Sequence, residues 1–219
     1  MAKITWAGQS CFQISISHGK DHSADIVIDP FDEKIGLKMP NFSADLLLVS
    51  HNHPDHSNVD HIKGKPFLIE SPGEYEVGGV FVQGIPSFHD ASEGKERGTN
   101  TIYVIEAEDM RFCHLGDFGE KQLSDDQLEK IGQVDILMIP VGGTFTIDSS
   151  EAQKVIGQIE PRIVIPMHFA LPKLDVTLDG VDKFLKAMGK KEIGPQDKLV
   201  IKQNALPKER DMEIVVLKP

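Results

Sequence analysis

Cysteine is scarce in this chain, with 2 in 219 residues, and Cys11 and Cys113 stand too far apart to form a CxxC pair. Two thiols do not make the disulfide scaffold on which small secreted domains depend. Positive charge is also short. Lys and Arg number 23 against 34 Asp and Glu, a formal net charge of −11. Duplex nucleic acid and anionic membrane surfaces are held mainly by Lys and Arg on phosphate, so neither is an expected partner. No apolar run approaches the ~18 residues of a membrane-spanning helix. The opening residues, MAKITWAGQSCFQ, lack the apolar stretch of a secretory signal, and a cytoplasmic location is expected. No linker, low-complexity tract or short repeat interrupts the chain. Its 40% hydrophobic and 26% charged residues are an ordinary globular composition. One domain over residues 1–219 is therefore expected, with homo-oligomer formation left open. Histidine is plentiful, with 9 residues, and several fall in telling places.

The first half of the chain reads as short strands. Residues 3–6 and 11–17 alternate apolar and polar side chains, as half-buried strands do. Apolar runs follow at 25–29, 45–49, 66–69, 80–86, 100–106 and 111–115, punctuated by Gly, Pro and Asn. The second half mixes strand with helix. Ser124 can cap a helix through Ile131 that Gly132 stops, and Ser149 or Ser150 can open a helix through Ile159. A short helix over 181–188 ends at Gly189, and the tail reads as two strands, 198–203 and 212–217. The runs DLLLV, DILMIPV and RIVIPM lack alternation, so both faces of the sheet should be covered there. Two packed sheets with helices outside, an α/β fold in the four-layer order αββα, satisfy these patterns.

Several apolar runs lead into a residue that can bind a metal. DLLLVS runs into His51, FVQGIPSF into His89, RFCHLG into Asp117, RIVIPM into His168 and DIVI into Asp29. Ligands at strand ends are held by a rigid sheet yet face an open rim. The densest cluster is Ser50-His51-Asn52-His53-Pro54-Asp55-His56. Its ligand-type side chains cannot all reach one ion from a regular strand or helix. A loop can aim them at two neighbouring ions, His51 and His53 at one, Asp55 and His56 at the other. Imidazole and carboxylate without thiolate suit zinc, manganese or iron rather than Cu(I).

H-x-H-x-D-H after a buried strand resembles the signature of the metallo-β-lactamase-fold hydrolases. The likeness runs from Trp6 to His168 with the other motifs in order, and it implies the same αββα sandwich. The flanking segments WAGQSCF, PGEYEVGGV, HLGDFG, PVGGTFTID and IPMHF resemble the branch that holds ascorbate-6-phosphate lactonase-like and uncharacterised metal-dependent hydrolases. The resemblance implies two divalent ions per chain, zinc by default. His51, His53 and His89 would bind one, Asp55, His56 and His168 the other. Asp117 and a hydroxide would bridge them, with Asp55 and Asp117 as the catalytic carboxylates. Asp29 would orient a ligand or the histidine-rich loop from behind. The implied reaction is hydrolysis of a small anionic ester, lactone or phosphodiester. Two other activities occur on this fold. Nuclease activity is disfavoured by the charge of −11, and the diiron redox relatives carry glutamate where this chain has His53.

Weaker signals surround these. His114 could donate to substrate or sit satisfied in the core. His18, His22 and His61 read as surface residues, and Glu74-Tyr75 as part of a hairpin closed by Gly78-Gly79. Gly142-Gly143-Thr144 could cradle an anion with backbone N–H groups. Arg97, in the polar stretch DASEGKERGTN, could hold a phosphate or carboxylate or be solvated.

Overall fold

The computed structural model describes residues 1–18, 22–208 and 211–219; the side chains of His18 and His22 lie outside the described residues. The first sheet holds β1 (Ala2–Gly8), β2 (Cys11–His18), β3 (His22–Ile28), β4 (Leu46–Leu48) and β5 (Phe67–Ile69) in chain order. The second is built from β6 (Gly73–Val77), β7 (Val80–Phe88), β8 (Thr99–Ala107), β9 (Met110–His114), β10 (Ile136–Pro140) and β11 (Ile163–Met167). Alternation in β1 to β3 turns Ile4, Trp6, Phe12, Ile14, Ile26 and Ile28 inward, where they join Val82, Ile105, Phe112 and Met138 of the second sheet in one core. The strand pattern of the sequence is thereby realised, with the Glu74-Tyr75 segment forming the β6 side of a hairpin turned by Gly78 and Gly79.

Outer layers cover both sheets. On the second sheet lie α1 (Asp125–Ile131), α2 (Ser149–Ile159) and α3 (Val181–Ala187), with Ile131, Ala152, Val155, Ile156 and Phe184 buried in the same core. Ser124 caps α1 in a capping box with Gln127, as its position predicts. The α2 cap is Asp148 and not Ser149 or Ser150: its carboxylate accepts from the N–H groups of Ser150 and Glu151, while the Ser149 hydroxyl donates to Val141 O. The outer layer on the first sheet is thinner. Two single 3-10 turns (Glu33–Ile35 and Val59–His61) and their loops seal Val27, Leu47, Phe31 and Met39. Pro30, Gly36 and Pro40 punctuate that stretch too closely for an α-helix.

The tail forms the two short strands its pattern predicts, one in each sheet. β12 (Leu199–Ile201) adds antiparallel to β1 at the edge of the first sheet, whereas β13 (Glu213–Ile214) adds parallel to β11 in the second. Each short strand meets an unpaired sheet edge, which offers more backbone partners than the two tails offer each other.

The direction of the strands positions the site. β3 and β4 run parallel, as do β9, β10 and β11. β1 lies two antiparallel steps from β3, and β7 two from β9, so both point the same way as those neighbours. Their C-terminal ends consequently open on one rim. Tyr103 of β8 ties the two sheets behind it. Its buried hydroxyl donates to Val49 O (2.8 Å) and Ile69 O (3.2 Å) of the opposite sheet. Tyr103→Phe should lower stability by about 1–3 kcal/mol, the cost of leaving a buried carbonyl short of a donor. Urea denaturation would show it as a lower midpoint at unchanged slope; an unchanged midpoint would mean that the cross-sheet bond contributes nothing.

Candidate metal centre

Each functional side chain leaves the C-terminal end of a strand. Asp29 follows β3, Ser50 and His51 follow β4, His89 follows β7, Asp117 follows β9 and His168 follows β11. Asp29 and His168 both adopt left-handed backbone conformations (φ 48° and 50°), turning the chain sharply where the side chain must face the rim.

The seven residues singled out in the sequence converge in two groups. Ligand atoms of His51, His53 and His89 lie within 4.8 Å of one another, as do those of Asp55, His56, Asp117 and His168. Asp117 sits at the junction. Its Oδ2 is 3.2 Å from His56 Nε2, 3.3 Å from His168 Nε2 and 3.3 Å from His89 Nε2, reaching into both groups. The rings of His51 and His56, one from each group, have centroids 4.2 Å apart.

A buried network holds these atoms in place. Asp29, wholly buried, accepts from Ser50 N (2.7 Å), Ser50 Oγ (2.7 Å) and His56 Nδ1 (3.1 Å). Because the Ser50 hydroxyl proton goes to Asp29, the same oxygen accepts from His51 Nδ1 at 3.0 Å. Both imidazoles thus carry their proton on Nδ1 and turn Nε2 toward the rim. Asp117 is fixed likewise: its Oδ1 accepts from Ser10 Oγ (3.0 Å), and its N–H donates to Asn100 Oδ1 (3.0 Å). His114 serves this frame. Gly116 N donates to its Nδ1 (3.1 Å), so Nε2–H donates to Ser10 O (2.8 Å), and no nitrogen is left for substrate.

The donor set fits a metal. His51 Nε2 and His56 Nε2, the nitrogens turned toward the rim, are buried without a hydrogen-bond partner among the described residues. Orphaned nitrogens at such depth are costly unless something coordinates them. Four histidines and two aspartates, apart from half-exposed His53, are buried or largely so, a set suited to divalent ions with nitrogen and oxygen preference.

Electrostatics agree. Burial, with the neighbouring His56 adding to it, pulls His51 down to about 3. Burial likewise lowers His168. His56 moves the other way: burial opposes its cation, but Asp117 and Asp29, one on each ring nitrogen, raise it well above the ordinary 6.5. Burial pushes Asp117 up, yet His168 and His56 outweigh it and hold the carboxyl far below the usual range.

A cavity of about 410 Å³ opens onto the centre beside His53, Asp55, His89 and Asp117. A larger one, about 660 Å³, lies at the opposite end of the second sheet near Gly79 and Asp109 and contains no histidine.

Four supporting residues lie outside those singled out in the sequence. Gln9 places Nε2 3.4 Å from His168 Nε2, and Ser10 and Asn100 fix Asp117. Asp90 accepts the N–H groups of Ser92, Gly94, Glu96 and Arg97, tying down the loop after His89. Gln9 and Ser10 stand within the WAGQSCF segment, which was the available signal for them. Of the Gly142-Gly143-Thr144 N–H groups that could cradle an anion, one is engaged within the chain. Gly143 N donates to Ile147 O within the loop, and Gly142 is required because a Cβ there would lie 2.1 Å from His168 O.

A two-sheet sandwich with histidines and aspartates gathered at one rim defines a protein of the metallo-β-lactamase type. The β-lactamase superfamily domain matches residues 3–168, and the chain belongs to that superfamily. A UPF0173 metal-dependent hydrolase from Thermococcus onnurineus is 30% identical over 199 residues, covering 77% of this chain and 85% of the relative. A chain from Thermotoga maritima, described as a Zn-dependent hydrolase of the metallo-β-lactamase superfamily, is 36% identical with a TM-score of 0.79 and 100% of each chain covered. An isothiocyanate hydrolase from Delia radicum gut bacteria, at 11% identity and TM-score 0.67 over 91% of this chain and 99% of its own, shares the fold.

A metal ion binding at His56 Nε2 would have to displace the proton held there. With His56 raised, metal uptake at neutral pH should release at least one proton per chain, and affinity should fall as pH falls through and below that raised pKa. Calorimetric titration of metal-free protein with zinc in buffers of different ionisation enthalpy measures the released protons. A buffer-independent heat would remove His56 from the ligand set.

Proposed function

We propose that this metal-dependent hydrolase works with two divalent ions on a small ester, lactone or phosphodiester. The observation that carries the reading is the position of Asp117 Oδ2, 3.2–3.3 Å from nitrogens of both ligand groups. His51, His53 and His89 would hold one ion, Asp55, His56 and His168 the other, with Asp117 shared. When bound, such ions would supply an activated water at neutral pH and draw electron density from the substrate's carbonyl or phosphoryl oxygen, leaving its carbon or phosphorus open to attack. Zinc is the default; manganese and iron suit the same donors.

The chain's residues set the conditions for that chemistry. Asp55 and Asp117 bring two negative charges against five neutral imidazoles, so the occupied centre stays positive and draws a small anion inside an acidic protein. Asp29 keeps the Nδ1 protons of His56 and, through Ser50, of His51 on the far side of each ring, leaving both Nε2 lone pairs for coordination. Ser10 and Asn100 prevent Asp117 from swinging toward either group. His114 is spent on the backbone, so the leaving-group proton comes from another source.

Metal analysis of the purified protein should give two ions per chain; saturation at one ion with full activity would overturn the two-ion reading. Asp117→Ala should lose bound metal and at least 100-fold in turnover, about 3 kcal/mol, while melting within a few degrees of the parent. Asp125→Ala, at an exposed first-turn position of α1, should change neither. Wild-type metal content and rate in Asp117→Ala would show that Asp117 is not a ligand.

A further inference from the structure

The walls of the cavity over the centre differ from its floor. Ile35, Pro54, Phe145 and Val176 present apolar surface, and among the described residues Arg97 is the single Lys or Arg side chain lining the space. Its guanidinium lies over the Phe145 ring, 5.9 Å from the centroid, and Nη2 donates to Thr144 O at 3.4 Å. Glu96 Oε2 forms an ion pair with Nη1 at 3.8 Å that is too long for a hydrogen bond, and Glu96 Oε1 accepts from Ser92 Oγ at 2.9 Å. Most of the five donors of the guanidinium are therefore uncommitted among the described residues.

Arg97 is not held there by chance. Its own N–H donates to Asp90 Oδ2 at 2.8 Å, the last of the four backbone bonds that fold residues 90–97 around that carboxylate. Asp90 follows the ligand-type residue His89, and His89 N donates to Gly98 O, so both ends of the loop close on the rim. Opposite, Thr144 adopts a left-handed conformation (φ 61°) and donates Oγ1–H to Thr177 O, which presents Phe145 to the cavity. A cation preset on an aromatic face and surrounded by aliphatic carbon recognises an anion attached to an apolar body.

We propose that Arg97 is a specificity residue that binds a carboxylate on the substrate, separate from the bond being cleaved, and that the rest of the substrate is apolar. One guanidinium with no second Lys or Arg beside it among the described residues matches a singly charged carboxylate better than a doubly charged phosphate. A volume of about 410 Å³ admits a body of drug-like or smaller size. A polyhydroxylated sugar would bury its hydroxyls against Ile35, Val176 and Phe145 without partners. The proposal takes from the hydrolase reading the reaction alone; the selectivity comes from the cavity.

The test separates the two. Metal-free protein is titrated with 4-phenylbutyrate, its primary amide, 4-phenylbutyl phosphate and gluconate, following the Arg97 Nε–H and Phe145 amide signals by NMR. The expected result is that phenylbutyrate moves both signals and binds about tenfold more tightly than the amide, as a charge-assisted contact requires. Arg97→Met should abolish that preference. Equal binding of acid and amide, an unchanged preference in Arg97→Met, tighter binding of the phosphate, or gluconate matching phenylbutyrate would each overturn the proposal. In the zinc-loaded protein, Arg97→Met should raise KM about tenfold for 4-nitrophenyl hydrogen suberate and leave KM for 4-nitrophenyl octanoate unchanged. Equal KM changes for the two esters would overturn it as well. Cleavage of neither ester would count against the hydrolase reading, and the spectra would still decide the role of Arg97.

Discussion

The centre depends on one buried carboxylate. Asp29 has no exposed surface, and a bare charge at such depth is prohibitively costly unless hydrogen bonds replace its water. The donors that satisfy it are Ser50 N, Ser50 Oγ and His56 Nδ1, all from the histidine-rich loop. Satisfying the aspartate and folding the loop are therefore the same event. The bonds also pass beyond their immediate partners. By taking the Ser50 proton, Asp29 obliges that oxygen to accept from His51, so one carboxylate sets the tautomers of two imidazoles in two different ligand groups.

Strand direction does for the whole site what Asp29 does for the loop. Seven strands of two sheets deliver their C-terminal ends to one rim, so residues as distant in sequence as Ser10 and Asp117 meet within 3.0 Å. Close backbone packing completes the arrangement. Gly116 has φ 56°, and a Cβ there would lie 2.3 Å from Asn100 Oδ1, the atom that fixes Asp117 N. A side chain at this position would displace the support of the shared aspartate, which explains glycine next to Asp117 on both conformational and packing grounds.

Much of this was legible in the sequence, and the part that was not has a physical reason. Apolar runs ending in His or Asp announce themselves locally, because burial of a strand and exposure of its last residue both leave a mark within a few positions. The supports Gln9, Ser10, Asn100 and Asp90 carry no such mark: a serine or glutamine in a turn reads the same whether it meets water or an aspartate 107 positions away. His114 illustrates the ambiguity from the other side. Its strand position allowed a role toward substrate, and only the bonds to Gly116 and Ser10 show both nitrogens to be engaged. In the tail the two strands are legible and their partners are not. Its two short apolar stretches are alike in pattern, and the choice between pairing together and pairing with β1 and β11 is made by edges formed elsewhere in the chain.

The site divides into parts of different origin. The ligand-type residues rest on strand ends and on a buried hydrogen-bond network, whereas Ile35, Pro54, Arg97, Phe145 and Val176 all belong to loops or single turns over the rim. Changing a ligand or its support disturbs buried charge, with a cost that spreads through Asp29 or Asp117. Changing a wall residue touches neither, since Phe145 is 37% exposed and the Arg97 side chain 35%. Loops on a rigid scaffold are where binding selectivity can vary without loss of the fold. The rim and its charges restrict what reaction can occur, and the loops above it restrict which molecule undergoes it.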